Sequence, residues 1–346
     1  MISPSVGRQQ WYRNKWVGIG AVILAAALCV LLYVSSRFQP VSSKSASIRY
    51  IDVRPGQSAE MVAKTLHQHH IIRSAWAFVM LSRYEGLATH LTAGVYGLSP
   101  RQSLRSIITQ MRKGHVAVTK VTIPEGYTVR QITARLVAAH IGTSAQYRQL
   151  EQSPLPGMPK PAPGVRDPLE GYLYPATYSF PHGISAKGAL TLMWDTFQSR
   201  VMQGLYGKSH TRMTLVQWVT LASIVQAECQ KPSQSADVAA VFMNRLTLHM
   251  PFQSDATVRY AWGRLPPGGL VPADLSLASP YNTYLHKGFP PGPIDNPGTA
   301  TLEAAMHPAP VSYLYFVSLR SGRLLFSTTY QRHLANIVYA KNHPNA

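Results

Sequence analysis

Acidic residues are scarce in this chain: 14 Asp and Glu face 33 Lys and Arg over 346 residues, a formal net charge of +19. The excess implies an anionic partner, and nucleic acid, acidic lipid and an acidic polymer such as a cell wall fit it equally. Cysteine is scarcer still, at two. Cys29 lies inside an apolar run and Cys229 far along the chain, so no disulfide between them is expected. A thiol nucleophile at Cys229 would need a paired histidine that the sequence does not identify. No Cys/His spacing resembles a zinc site. His67, His69 and His70 fall late in an amphipathic helical pattern, where a solvated helix end is the plainer reading. The absence of a C-x-x-C finger or a groove-reading basic helix counts against nucleic acid. Neither a metal nor an organic cofactor is expected.

Charge is also absent from residues 16–34, "WVGIGAVILAAALCVLLYV". The run approaches the roughly 20 residues that cross a bilayer as a helix. Trp11, Tyr12 and Trp16 lie toward one end and Tyr33 and Phe38 toward the other, where amphipathic rings favour the interface. A cleaved signal peptide would have a shorter apolar core with an A-x-A-like site directly after it. The expectation is therefore a cytoplasmic tail over 1–15, an uncleaved transmembrane helix over 16–34, and export of everything beyond. Arg8, Arg13 and Lys15 before the run are balanced by Arg37, Lys44 and Arg49 after it, so charge biases this orientation only weakly.

What remains is long enough, and at 46% apolar rich enough, for two or three domains. After a Ser-rich tether at 41–47, "IDVRPGQSAEMVAKTLHQHHI" (51–71) and "KVTIPEGYTVRQITARLVAAHI" (120–141) align as a weak internal repeat. Gly56 falls on Gly126, Ser58 on Thr128, Leu66 on Leu136 and Ile71 on Ile141. Each copy reads as a strand, a Pro/Gly turn, a hydroxyl N-cap and a helix, and Thr128 with Gln131 makes a capping box. Between the copies the pattern predicts a helix at 75–84, a strand near 91–98, a helix at 102–112 and a strand at 116–123. No catalytic cluster is evident there, which suits a binding or spacing module. Residues 151–168 hold six prolines and little apolar periodicity, as a linker or surface excursion would.

Every dense polar and aromatic motif lies beyond Glu170. "LASIVQAECQ" (221–230) belongs to a helix predicted to start at Thr214, which forms a second capping box with Gln217. Helical spacing puts Leu221, Ile224, Val225 and Glu228 on one side, and Pro232 limits the helix soon after. Desolvation by apolar neighbours and the negative end of the helix dipole both favour the protonated form of Glu228, as a general acid requires. The bland alternative is a glutamate pointing into solvent at a helix end. "EGYLYPATYSF" (170–180) and "SPYNTY" (279–284) offer rings and an amide of the kind that line sugar grooves. "PFQSDATVRY" (251–260) is read either as a strand with Gln253, Asp255 and Thr257 on one face, or as a helix start with Asp255 as the N-cap. "GFPPGPIDNPG" (288–298) is a rigid Pro/Gly loop suited to walling a cleft.

These stretches, with "VAAVFMNRL" and "HPAPVSYLYFV", resemble in content and order the YceG-like family of endolytic murein transglycosylases, bacterial enzymes that cut peptidoglycan glycan strands. The resemblance implies an α+β protein with a transmembrane helix, a LysM-like α+β module over 48–120, a second strand–helix unit with a Pro-rich linker over 121–166, and a C-terminal α+β catalytic domain over 167–346. The family's catalytic glutamate falls on Glu228, whereas its acids at positions 176 and 226 are Ala176 and Gln226 here, and its proline at 256 is Ala256. The implied reaction needs one carboxyl: it protonates the oxygen between N-acetylmuramic acid and N-acetylglucosamine, then deprotonates the muramyl C6 hydroxyl, which closes a 1,6-anhydro ring. Gln253, Thr257, Tyr281 and Asn282 are candidate groove residues, with Glu170 and Asn244 behind them. The implied setting is the inner membrane, single-pass, with the catalytic domain in the periplasm. Glycan strands and the membrane would be its partners, and peptidoglycan synthases are candidate protein partners. The competing class is a non-catalytic peptidoglycan-binding scaffold, which would bind sacculi and release nothing.

Overall fold

The strand–turn–helix unit read twice in the sequence is present twice in the fold, down to the same chain reversal. In the first copy β1 (Arg49–Val53) leads through Gly56, at φ +80°, to α2 (Ala59–Gln68), whose first turn is capped by Ser58. In the second, Gly126 at φ +75° precedes a helix (Val129–Ala138) capped by the Thr128–Gln131 box. Each helix ends on a histidine in the left-handed region, His70 (φ 50°) and His140 (φ 58°). The next isoleucine amide then bonds back to a leucine carbonyl, Ile71 to Leu66 and Ile141 to Leu136, both at 2.9 Å. That bond satisfies a helix-end carbonyl that water would otherwise take. The His67–His70 cluster is thus a helix terminus.

The computed structural model describes residues 6–42, 47–87, 91–209, 211–263 and 270–343, with residues 6–21 as backbone only. The chain forms two compact units, Met1–Val118 with Pro181–Gly183, and Thr119–Phe180 with Ile184–Ala346. The first contains α1 (Val6–Arg37), β1, α2, α3 (Ala75–Tyr84), β2 (Gly94–Leu98) and α4 (Leu104–Arg112). β1 and β2 pair antiparallel with Ile51 opposite Tyr96. Ile51, Val53, Tyr96 and Leu98 face a small core with Leu66, Phe78, Ile107 and Met111. The predicted helix at 75–84 is found with those bounds, and the flanking predictions shorten by a few residues to β2 and α4. Among the described residues no helix is long and apolar enough to cross a membrane. The tail at 1–15 and the opening of the 16–34 run lie outside the described side chains.

The second unit holds β3 (Val118–Thr122), α5 (Val129–Ala138), α6 (Ser144–Leu150), β4 (Thr177–Pro181), α7 (Ala186–Phe197), α8 (Leu215–Glu228), α9 (Ser235–Thr247), α10 (Asp255–Trp262), α11 (Thr299–Met306), the hairpin β5 (Tyr315–Ser318) and β6 (Leu324–Ser327), and α12 (Tyr330–Asn342). β3 pairs with β4, the Ile123 amide donating to the Ala176 carbonyl at 2.9 Å. The stretch 121–166, set apart in the sequence reading, joins this unit: Val121, Ile123, Val129, Ile132 and Leu136 share one core with Leu173, Phe180 and Trp218. Its Pro-rich part is strapped down rather than free. Leu155 is buried, the Pro156 carbonyl accepts from Trp194 Nε1 at 3.1 Å, and Arg166 donates to the carbonyls of Tyr260 and Ala261 at 2.5 and 2.9 Å. Prolines lack amides but keep carbonyls, and the Trp194 strap uses one of these.

α8 is the centre of this unit. Residues 218–225 are all buried, and Trp218 Nε1 donates to the Leu302 carbonyl of α11 at 2.9 Å. Three connecting segments are fixed around it by one buried amide and one buried carboxyl. Glu170 Oε1 accepts from the Val129 amide and from Asn296 Nδ2, both at 3.0 Å. Asn296 Nδ2 also donates to the Tyr127 carbonyl, and its Oδ1 accepts from the Leu173 amide at 2.8 Å. Gly171 makes the close approach possible: at φ +87°, a Cβ there would meet the Pro293 ring at 2.5 Å. Glu170→Ala strands two buried donors and should cost about 2–4 kcal/mol, whereas Glu170→Gln keeps the acceptor oxygen and should cost under about 1 kcal/mol. Urea unfolding of the two variants measures the difference; equal losses would remove this carboxyl from its tying role.

Candidate active site

Glu228 is the last residue of α8, half-buried at the point where that helix leaves the core. Cys229 follows in extended conformation, its thiol spent on the Lys231 carbonyl. Facing the carboxyl is the start of α10. Ser254 occupies the N-cap position of α10, yet its hydroxyl makes no cap bond and instead donates to Glu228 Oε1 at 2.6 Å. The Ala256 amide, one of the unpaired donors at the head of α10, approaches the same oxygen at 3.5 Å. A serine that would normally cap its own helix is thus turned toward a carboxyl on another. Asp255 is the first helical residue rather than the N-cap, and its Oδ1 accepts from the Tyr284 hydroxyl at 2.7 Å. Of the two readings of 251–260, the helix start is the one formed.

The turn before Ser254 is built with some strain. Gln253 sits at φ +51°, a region non-glycine residues seldom enter, and its amide donates to the Thr283 carbonyl at 3.1 Å. The Ser254 amide donates to Thr283 Oγ1 at 3.0 Å, Thr257 Oγ1 to the Ser254 carbonyl at 2.8 Å, and the two threonine hydroxyls meet at 2.9 Å. Arg245, itself buried, holds the strand end from below: Nη1 donates to the Phe252 carbonyl and Nε to the Leu314 carbonyl, at 2.5 and 2.7 Å. The segments 253–257 and 281–284 therefore do converge on Glu228, through contacts that fix Ser254 in place.

Two opposed fields act on the Glu228 carboxyl. Burial raises its pKa above the ordinary carboxylate value, helped by the nearby Asp255, while the Ser254 hydroxyl, the Ala256 amide and the Arg259 guanidinium lower it. Burial prevails. The result is a carboxyl that holds a proton more firmly than a free glutamate does, with donors already in place for the anion left when the proton goes. Such a group serves as acid and then as base in one turnover.

The other candidates are distributed around it. Gln253 is exposed beside Ser254. The Thr257 hydroxyl is used internally, as above. Tyr281 is buried, with its hydroxyl 3.5 Å from the Arg166 amide. Asn282 Nδ2 donates to the carbonyls of Leu275 and Leu277, and its Oδ1 accepts from the Tyr284 amide. Asn244 Nδ2 donates to the Val311 and Tyr313 carbonyls, and Glu170 ties the segments described earlier. Gln226, where the family carries an acid, accepts from the Gly298 amide and Thr301 Oγ1, both at 3.0 Å, and so anchors the head of α11. The sequence reading passed over Ser254, Thr283 and Arg245. The one available signal was a Ser–Asp pair at a helix start, where either residue can cap.

A cleft of about 1040 Å³ is lined by Ala227, Ala256 and Arg259, chain neighbours of Glu228 and Ser254, though not by those two residues themselves. Asp167, Glu170 and Asp295 line it as well. Burial pushes Asp167 up to about 7 and raises Glu170 and Asp295 well above the usual carboxylate range.

Residues 51–338 match the sequence pattern of the YceG-like family. The endolytic murein transglycosylase of Bacillus subtilis strain 168 is 31% identical over 316 residues, 87% of each chain. That of Streptococcus pneumoniae serotype 2 strain D39 is 27% identical over 338 residues, covering 88% of this chain and 60% of the relative. A YceG-like protein of Listeria monocytogenes, known from a 2.6 Å crystal structure, is 32% identical, with a TM-score of 0.59 over 84% of this chain and 100% of the other. The match runs from β1 to α12 and takes in both the helix that carries Glu228 and the turn that carries Ser254: the chain belongs to the YceG-like family.

Proposed function

We infer that this protein is an endolytic murein transglycosylase, a lyase that cuts within peptidoglycan glycan strands, and that Glu228 is its acid and base. The observation that carries the second half is the pairing of Glu228 with Ser254 and the head of α10 beside an open cleft. Protonated Glu228 delivers its proton to the oxygen joining N-acetylmuramic acid to N-acetylglucosamine, and the bond from that oxygen to the muramyl C1 breaks. The carboxylate so formed, held by Ser254 and the Ala256 amide, takes the proton of the muramyl C6 hydroxyl as its oxygen bonds to C1. The proton balance closes, no water is consumed, and the products are a 1,6-anhydromuramyl end and a free 4-hydroxyl. A hydrolytic glycosidase generally needs a second carboxylate for the water; this route does not. Among the candidate sugar contacts Gln253 is exposed beside Ser254, Tyr281 is buried, and Thr257 and Asn282 hold the loops.

We further infer that residues 16–34 anchor the enzyme in the inner membrane by a single pass, with the rest periplasmic. In support, Val22, Ile23, Leu24, Leu28, Leu31 and Leu32 are exposed on all sides of α1, which leaves them without a protein core to enter. The order β1–α2–α3–β2 with an antiparallel strand pair supports the LysM-like reading of 48–120.

Glu228→Gln should lower release of anhydromuramyl ends from uncrosslinked strands by at least about 10²-fold. Mass spectrometry reads the outcome, since an anhydro end is lighter than a hydrolysed end by one water. Undiminished release would sink the assignment, and binding of sacculi without products would favour the scaffold. The pH profile follows from the sign of the shift. Glu228 acts while protonated, so kcat/KM should fall on the alkaline side with a midpoint above the ordinary glutamate range. Ser254→Ala removes a donor to the anion, which raises the pKa further and moves that limb up by roughly 0.5–1 unit; a downward move would contradict the geometry.

A further inference from the structure

The cleft beside Glu228 has features that sugar chemistry leaves unexplained. Its volume, about 1040 Å³, stands at the top of the range of roughly 300–1,000 Å³ typical of ligand sites. Asp295 lines it and is only 4% exposed, yet among the described residues Oδ1 has no hydrogen-bond partner. The Tyr260 hydroxyl, also in the lining, is directed toward the Glu170 carboxyl and the Tyr281 hydroxyl. A buried polar atom left without a partner costs stability, so one in an open cleft marks a position that a ligand completes. The rim is cationic. Arg130 and Arg166 are occupied with the carbonyls of Gly263, Tyr260 and Ala261. Arg148 and Arg259 are exposed on the rim without an ion pair among the described residues, Arg259 lying close enough to Glu228 to lower its pKa. Glu151, the nearest acid along α6, accepts instead from Thr133 Oγ1 at 3.0 Å.

Free guanidiniums call for carboxylates or phosphates. The pyranose rings and acetamido groups of a glycan strand are neutral; its charges are on the peptides carried by the muramyl lactyl groups. We propose that this cleft is a stem-peptide subsite, in which Arg148 and Arg259 take peptide carboxylates and Asp295 hydrogen-bonds the peptide backbone. The site lets the enzyme select strands that still bear their peptides. The neutral form of Asp295, which burial favours, suits a donor to a peptide carbonyl.

The proposal rests on the transglycosylase reading, and the test separates the two. Full-length enzyme is assayed on uncrosslinked strands with intact pentapeptides and on the same strands stripped by an amidase. Wild type should cut the peptide-bearing strands with kcat/KM at least about tenfold higher. Arg148→Glu should lose about tenfold on those strands while staying within about twofold on stripped ones. Asp295→Ala should follow it, and Asp295→Asn, which retains a donor, should keep the wild-type preference. Equal cutting of both substrates by wild type, or equal slowing of both by Arg148→Glu, overturns the subsite. Binding of free muramyl pentapeptide to the Glu228→Gln protein, read by fluorescence anisotropy, is independent of turnover. Saturable binding that Arg148→Glu weakens supports the subsite even if neither strand is cut, in which case only the transglycosylase reading fails. Absence of binding overturns it.

Discussion

Burial of α8 on all sides is the constraint from which the rest of the second unit follows. Residues 218–225 have no exposed face, and each large apolar side chain among them is worth about 1.5–3 kcal/mol in place. Such a helix cannot slide or rotate without opening cavities. Its last residue is thereby held within a small radius, and that residue is Glu228. The elements around it are arranged in relation to this fixed point. α11 is bound through Trp218 and Gln226, and the connecting segments through Glu170 and Asn296. The start of α10 is set against the carboxyl by the threonine cluster and Arg245.

Two helix ends of opposite polarity meet at that carboxyl. The C-terminus of α8 presents carbonyls, which favour the neutral acid, and the N-terminus of α10 presents amides, which favour the anion. Burial outweighs the donors and leaves the carboxyl's pKa above the ordinary glutamate value. A purely apolar surrounding would hold the proton too firmly to let it go; a purely polar one would lose it to solvent. The diverted serine keeps the difference between the two states small, at the expense of its own capping role in α10.

Much of this was legible in the sequence wherever the information is local. The capping boxes at Thr128 and Thr214, the repeat at 51–71 and 120–141, and the helix bearing Glu228 all depend on neighbours within a few positions, and all are found. Asp255 was misplaced by one residue because Ser and Asp are both good caps, and only the position of Glu228, far off in sequence, decides between them. The same limit hid Thr283 and Arg245, whose partners lie tens of residues away. It also left the Pro-rich stretch readable as either a linker or a surface excursion, since the carbonyl that fastens it to Trp194 carries no sequence signal. Asn282 drew notice as an amide suited to sugar, and the structure spends that amide on backbone carbonyls.

The raised acids also change what the formal charge means. Counting Asp167, Glu170, Glu228 and Asp295 as ionised gives +19, but each binds its proton more tightly folded than unfolded. The native molecule is therefore more cationic than its composition states, and folding at neutral pH takes protons up from the buffer. By linkage, their contribution to stability is full below about pH 4 and declines as pH rises through each raised pKa, about 7 for Asp167. A protein that already leans toward anionic surfaces thus leans further toward them when folded, and it will leave a cation exchanger later than its unfolded chain.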